Sequence, residues 1–486
     1  MNTVRATTYT SANFILHGVI FLLLVFTLFD HFFELNYETS NLLNLLALAA
    51  LGVMVLRYKQ LLLYGLSFLI PLSLQMKVAG NSQISVPAEV ICVLLTVFFS
   101  VKVLLGYKPD RKFLVHPITL LILLDLSWLL VTSCASEMPA VSFKRFIIRL
   151  IYYISFYYFY YELFKQDRKN IKRIFLLHVV GFLIPIGLVI YQQALMNFSM
   201  VGSQRTSAPF YFDHTIFGAG LVIFVPFLIH YSMHSNSLKQ TLFYCGLVVI
   251  FLLSTWLSYS RAAWVSLGIS IIFFSLVKLK IKTKHILMAL TFGVIILILS
   301  GPKFSSYFAD SKQLSHTNDV TMHLKSVSNV NTDASNKERI NRWKSALRMF
   351  ADKPLFGFGP GTYQFFYGPY QHRDELTRIS TFSGNKGHAH SEYLNYLSET
   401  GLPGLLIFIT LVFFIFYRGI RLIRTSDDPT TKDLSLFLTC GLLTFFIHAF
   451  FNGFLEFDKI AMPVLSSVAA ITFLDLQTNS GTEITK

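Results

Sequence analysis

Some fourteen apolar runs divide this 486-residue chain into short polar connections. A helix needs about 20 predominantly apolar residues to cross the hydrocarbon of a bilayer. By that measure spans are expected near 13–30, 41–56, 61–76, 88–106, 114–134, 146–164, 174–195, 215–233, 241–257, 262–278, 286–300, 401–417, 434–451 and 460–475. The fold class read from this pattern is an all-α polytopic membrane protein with about 12–14 transmembrane helices. Composition agrees: 14% of residues are charged, where a soluble chain carries about 25%.

The net charge of +15 raises the question of nucleic acid. Its placement points elsewhere. Basic clusters at Arg57–Lys59, Lys108–Lys112, Lys165–Arg173, Lys278–Lys284 and Arg418–Arg424 occupy short loops on alternate sides of the spans. That is the positive-inside pattern, so these loops read as cytoplasmic and the charge reports topology. An even number of spans puts both termini on that side. Cys92, Cys134, Cys245 and Cys440 lie far apart, with neither metal-ligand spacing nor a disulfide framework. The first apolar run, Phe14 to Phe29, lacks a small-residue cleavage site and reads as a span.

Three regions follow: transmembrane helices over 1–300, one long polar loop over 301–400, and further transmembrane helices over 401–486. Within the loop, Ser311–Asn336 is rich in Ser, Asn, Thr and Asp and reads as mobile. Residues 337–350 place Ile340, Trp343, Leu347 and Phe350 at spacings of three and four. They predict an amphipathic helix whose apolar face lies on the membrane or caps a cavity, with Asp352-Lys-Pro354 ending it.

Several cations stand on the outer side, against the topological bias: Lys144, Arg145 and Arg149 at the sixth span, Arg205, Arg261, and Arg339 with Arg342. Charges near a span are costly without a purpose, and guanidinium forks bind phosphate oxygens bidentately. Headgroup snorkelling is the competing reading for Lys144 and Arg149. For Arg261, in the tight turn Ser258-Tyr-Ser-Arg261, function is favoured. At the end of the polar loop, His388 and His390 precede the run Ser391–Thr400, with Tyr393 at helical spacing and Gly401 as a stop. A histidine there is able to exchange protons near neutral pH and to deprotonate a hydroxyl while arginines stabilise a departing diphosphate. A zinc pair at His388-Ala-His390 lacks further ligands, so no metal is expected. Gly357-Phe-Gly-Pro-Gly361 has no following Lys-Ser/Thr and reads as a turn. Glu456 and Asp458, in the last outer loop, are able to position an acceptor, but ordinary solvated loop charges are the favoured reading.

Four segments, in this order, resemble the O-antigen ligase superfamily of lipopolysaccharide ligases, O-antigen polymerases and protein O-oligosaccharyltransferases. Arg205 with Phe212-Asp-His-Thr-Ile-Phe-Gly218 is similar to the family's Arg…Phe-x-x-Pro-Asn-x-x-Gly segment, with Asp213-His214 in place of Pro-Asn. Ser258–Trp264 resembles its Ser-x-Ser-Arg-Gly/Ala-Ala-Trp segment, and Arg339–Tyr363 its Pro-hydrophobic-Gly-x-Gly stretch. His390-Ser-Glu-Tyr-Leu followed by Gly401-Leu-Pro-Gly404 resembles its histidine motif, with Ser391 for the usual Asn. The likeness covers about the C-terminal 290 residues.

That resemblance implies a GT-C-type bundle with a periplasmic loop subdomain, in the bacterial inner membrane. It implies metal-independent transfer from a glycan on undecaprenyl diphosphate, without a cofactor, at the periplasmic face. In that pattern His390 activates the acceptor hydroxyl, and Arg205 and Arg261 hold the diphosphate. Arg145 and Lys144 are further donor-binding candidates, with His388, Arg339, Arg342 and Tyr393 as supporting residues. O-antigen ligation to lipid A–core is the leading expectation. A polymerase lengthening the growing glycan and an O-oligosaccharyltransferase with a protein acceptor share the chemistry. A polysaccharide or lipid transporter is the reading from another class, resting on the multispan architecture alone.

Overall fold

The computed structural model describes residues 51–52, 57–77, 83–198, 206–282, 284–285, 288, 334–377, 380–381 and 387–483. The span expected at 13–30, most of 41–56 and of 286–300, most of Ser311–Asn336, and Arg205 lie outside these. The described chain is helical almost throughout. Its main helices are α1 (Lys59–Leu69), α2 (Ala88–Leu104), α3 (Pro117–Cys134), α4 (Pro139–Tyr152), α5 (Phe159–Gln166), α6 (Lys169–Leu195), α7 (His214–Met233), α8 (Leu238–Leu257), α9 (Arg261–Lys278), α10 (Ala334–Asp352), α11 (Glu392–Thr425), α12 (Pro429–His448) and α13 (Asp458–Glu483). Eight of these, α3, α6–α9 and α11–α13, are long and apolar enough to cross a membrane. The protein is an all-α multi-pass membrane protein.

Two expected spans differ in outline. The run 61–76 is helical only to Leu69, then passes through a 3₁₀ turn, Ile70–Leu72, into a strand β1 (Leu74–Lys77). Pro71 lies in that turn, and its missing N–H and fixed φ cannot continue an α-helix. Strand β1 pairs antiparallel with β2 (Gln83–Val86), Leu74 opposite Val86. The run 146–164 begins earlier, at Pro139, and continues through a π-helical turn, Tyr153–Tyr158, into α5. Lys144, Arg145 and Arg149 therefore stand within a helix, with Arg145 and Arg149 one turn apart on one side.

The core sits around α12, which packs against α7, α9, α11 and α13. The apolar windows of α12 and α13 are 83% and 89% buried, against 28% for α9, so these two are the centre of the bundle. Small residues permit that approach: a Cβ on Gly441 of α12 would overlap the Ile223 carbonyl of α7. Helix α11 is broken at Gly401, whose φ of 71° departs from helical geometry. It thus comprises an outer piece, Glu392–Thr400, and a long apolar rod. The break admits the loop after α10: Leu402 N–H donates to the Pro354 carbonyl at 2.8 Å, where a Cβ on Gly401 would collide.

The amphipathic helix expected at 337–350 is α10, and the side it buries against the protein is its polar one. Glu338, Asn341, Arg342, Ser345, Ala346 and Met349 are buried, while Leu347 is 47% exposed. The polar stripe is buried because its groups find partners. Arg342 Nε donates to Glu338 at 2.8 Å, and Glu338 accepts from Thr377 and Ser380 at 3.0 and 2.5 Å. Satisfied polar groups bury at little cost.

Candidate active site

The histidine pair is built on the cap of α11. Ser391 Oγ accepts from Leu394 N–H at 3.4 Å, the N-cap role that Ser and Asn share. That shared role accounts for Ser391 standing where Asn is usual in the related motif. Just before the cap, His390 adopts φ of +50°, a left-handed conformation uncommon outside glycine. Three contacts hold it there. His390 N–H donates to His388 Nδ1 at 3.0 Å, and Trp343 Nε1 of α10 donates to the His390 carbonyl at 3.1 Å. Between the histidines, Ala389 N–H donates to Asn395 Oδ1 at 2.8 Å. The rings stand edge to face, 4.9 Å apart.

Helix α10 brings its arginines over this pair. Arg342 Nη1 donates to the His388 carbonyl at 3.2 Å, and its guanidinium lies over Tyr367. Arg339 lies over Phe451. Both imidazoles are half-buried. Burial first, then the Arg342 charge, hold His388 down at about 4. Burial first, then His388, Arg339 and Arg342, hold His390 well below its ordinary value. Both rings are therefore neutral at pH 7 and able to accept a proton. The Asn452 amide favours a charged His390, yet neither His390 Nδ1 nor Asn452 Nδ2 is at hydrogen-bonding geometry to any described group.

The Arg261 turn reaches the pair through a histidine that the sequence reading did not single out. His448, buried at the end of α12, places Nε2 at 3.4 Å from Ser260 Oγ. Its ring packs on Phe454, which also meets His388. Arg261 opens α9 directly after Ser260. The other side of the turn rests on α7: His214 Nδ1 lies 2.7 Å from the Ser258 carbonyl, and a Cβ on Gly218 would overlap Ser258 and Ser260. Asp213 caps α7, accepting from Thr215 N–H at 2.6 Å. Asp213-His214 therefore makes an ordered turn without the Pro-Asn of the related segment.

Beside the histidines, between α4 and the outer piece of α11, lies a small cavity of about 20 Å³, the room of a single water. Arg145, Arg149, Glu392, Asn395, Glu399 and Glu456 line it. Arg145 is ion-paired with Glu456, and Arg149 Nη2 lies 3.7 Å from Glu392 Oε1. Glu399 accepts from Gly361 and Tyr363 N–H at 2.9 and 3.0 Å. The glycine-rich stretch is thus a turn, as expected, and its Gly361 amide, with that of Tyr363 just after it, binds the chain's own carboxylate.

The structure also corrects two acids and places the remaining candidates. Glu456 and Asp458 are not ordinary solvated charges: one lines the pocket, and the other is 2% exposed. The loop folds back onto the bundle and takes them with it. Lys144 is exposed on α4, while Tyr393 stacks on Phe450 and bonds to the Phe446 carbonyl at 3.1 Å, joining α11 to α12. Among the described residues no three His, Cys, Asp or Glu side chains are grouped to hold a metal ion.

These contacts unite the Ser258–Arg261 turn, the Lys353–Tyr363 stretch and the His390–Gly404 motif in one site. Residues 246–409 match the family model described as O-antigen ligase. The resemblance read from the sequence holds over that stretch, which is narrower than the C-terminal 290 or so residues over which the motifs are spread. It carries Arg261, Arg339, Arg342, His388 and His390, whereas Arg145, His448 and Glu456 lie outside it. The match supports glycan transfer of the O-antigen ligase or polymerase type. An uncharacterized protein of Haemophilus influenzae is 26% identical over 196 residues, covering 40% of this chain and 47% of that protein. The chain thus spans about half the length of that curated relative.

His448 and Glu392 carried a signal that the sequence reading passed over. Each is an ionisable residue in or beside an apolar span, a default reason to suspect function.

Proposed function

We propose that this protein transfers a glycan from a polyprenyl-diphosphate donor to an acceptor hydroxyl, at the periplasmic face of the bacterial inner membrane. The observation that carries the reading is a neutral His388–His390 pair set beneath the arginines of α10 and tied through His448 to the Arg261 turn. His390 accepts the proton of the acceptor hydroxyl. The freed oxygen forms a bond to the anomeric carbon, and the bond from that carbon to the diphosphate oxygen breaks. The diphosphate leaves with the electron pair, its charge met by Arg261, Arg339 and Arg342. The donor's own charge offsets the arginines that keep His390 neutral, so basicity rises when the donor is in place. Arg205 and Lys144 remain candidates for further contacts to the donor. The transfer needs no cofactor in this scheme.

O-antigen ligation to lipid A–core is the acceptor assignment we favour, as the resemblance suggests. The test is transfer by purified protein in detergent, with EDTA, lipid-diphosphate-linked glycan and lipid A–core. Product on the core that disappears with His390→Ala supports ligation. Chains lengthening on the donor lipid instead identify a polymerase. Arg261→Lys should lose donor binding, because an ammonium lacks the guanidinium fork. Full activity of His390→Ala would overturn the base assignment.

A further inference from the structure

We propose that Asp125, midway along the spanning helix α3, is a positioning residue for the base: it fixes the outer piece of α11, in which Glu392 follows His390 by two residues. The inference rests on the glycan-transfer reading and adds to it a residue that touches no substrate. A carboxylate at mid-span is costly, which is a default reason to look for its task. Asp125 is 1% exposed, and its hydrogen-bond partners are two phenols. Tyr153 donates to Asp125 Oδ2 at 3.0 Å and Tyr396 at 3.4 Å. The first bond ties α3 to the π-helical turn after α4. The second ties it to the outer piece of α11.

Tyr396 is the link. Its hydroxyl is held by Asp125, and its ring lies 5.7 Å from the Arg149 guanidinium. The same ring stacks on Phe408, with centroids 4.3 Å apart. Phe408 lies beyond the break at Gly401, so this stack joins the two pieces of α11 across the interruption. Arg149, itself buried, carries the tether on to Glu392 at 3.7 Å, and its charge acts on Asp125 as well. A second line runs beside the first. Trp128, one turn further along α3, donates from Nε1 to the Thr400 carbonyl at 2.9 Å.

The outer piece needs such anchors. Glu392–Thr400 is shorter than the roughly 12 residues below which a helix is marginal by itself, so its orientation is set by what it touches. His390 stands directly before the cap Ser391, and a tilt of this short helix therefore moves the imidazole. A misplacement of about 1 Å costs on the order of 10²-fold in rate. Asp125 thus acts on kcat from the middle of the bundle, through Tyr396.

The experiment compares Asp125→Asn, Asp125→Leu and Tyr396→Phe in full-length protein in detergent, by amide hydrogen exchange with mass spectrometry and by transfer kinetics. Asn keeps an acceptor for both phenols and Leu removes it, while Phe deletes one hydroxyl and keeps the stack on Phe408. The expected result is faster exchange over 392–400 in the Leu and Phe variants, with the other spanning helices unchanged. Their kcat should fall about 10²-fold and about tenfold, with KM for both substrates within about twofold of wild type. Asn should recover most of the rate. Exchange that rises evenly across the bundle, a raised KM at unchanged kcat, or equal losses for Asn and Leu would each overturn the positioning role. Should Asp125→Leu fail to insert, Tyr396→Phe decides alone, and normal exchange with normal kcat overturns the proposal. Faster exchange over 392–400 in a protein that makes no product would keep Asp125 as the anchor and remove the transfer reading. Unchanged exchange in variants that transfer normally would do the reverse.

Discussion

His448 Nε2 lies 3.4 Å from Ser260 Oγ, joining the end of α12 to the turn that presents Arg261. Replacing His448 by Ala leaves Ser260 without that partner and removes the ring that Phe454 packs on. Transfer should fall roughly tenfold or more, with kcat affected and donor KM raised, because the arginine turn loses its fixed distance from the histidine pair. Steady-state kinetics of His448→Ala against Ser260→Ala check this. Equal and small effects on kcat alone would argue for simple packing.

His388 accepts the N–H of His390 and so helps hold the base in its left-handed conformation. His388→Ala should therefore lower kcat by less than His390→Ala, for which a loss of about 10²–10⁴-fold is expected of a missing general base. His388→Asn should recover part of the rate. Equal losses for the two histidines would reopen a metal reading, and adding Zn²⁺ after EDTA would then show it.

Acid should act on this site in two ways. His388 is held at about 4 and His390 below its ordinary value, while both titrate near 6.5 when unfolded. Between pH 6.5 and about 4 the unfolded chain binds more protons, so these two groups make stability fall as pH falls through that window. Thermal unfolding in detergent from pH 8 to 4 reads it. The rate carries a second signature. The acid limb of kcat/KM, set by the free enzyme, should lie below that of kcat, because the bound diphosphate raises the histidine's affinity for its proton.

Gly453→Ala puts a methyl group among Asn395, Glu392 and His388. Its nearest neighbour is the side-chain amide of Asn395, which holds Ala389 N–H, so the expected stability cost is about 1–3 kcal/mol. Activity should drop by more than tenfold if the spacing of Asn395 and Glu392 from His388 matters to transfer. A variant that melts normally and transfers normally would show that it does not.

Glu399→Ala removes the acceptor of Gly361 and Tyr363 N–H. Two backbone donors left in a poorly solvated turn cost about 1–3 kcal/mol each. The 354–391 region should then become sensitive to limited proteolysis, whereas Glu399→Gln should be milder.

The spans were legible because hydropathy over twenty residues is a local property, and α3, α6–α9 and α11–α13 fall where the sequence places them. His390 and Arg261, to which the proposed chemistry is assigned, sit in short stretches with their own turn chemistry. What the sequence hid depends on long-range contact. The side of α10 buried against the protein is polar because Thr377 and Ser380 return to satisfy Glu338, which the apolar spacing of Ile340, Trp343 and Leu347 does not reveal. The pairing of Arg145 with Glu456 joins residues far apart in the chain, and nothing local to either announces it. His448 was concealed within a run that reads as membrane.

The break at Gly401 also has a mechanical meaning. A continuous rod from the bilayer to His390 would sweep its tip sideways whenever it tilted to match a thicker or thinner membrane. With a pivot at Gly401, and the outer piece fastened by Glu399 to the Gly361 turn and by Glu392 N–H to the Ala449 carbonyl, the tilt is absorbed below the reacting groups. The end that carries the proposed base is suspended from its neighbours, insulated from the lipid that carries the rest of the helix.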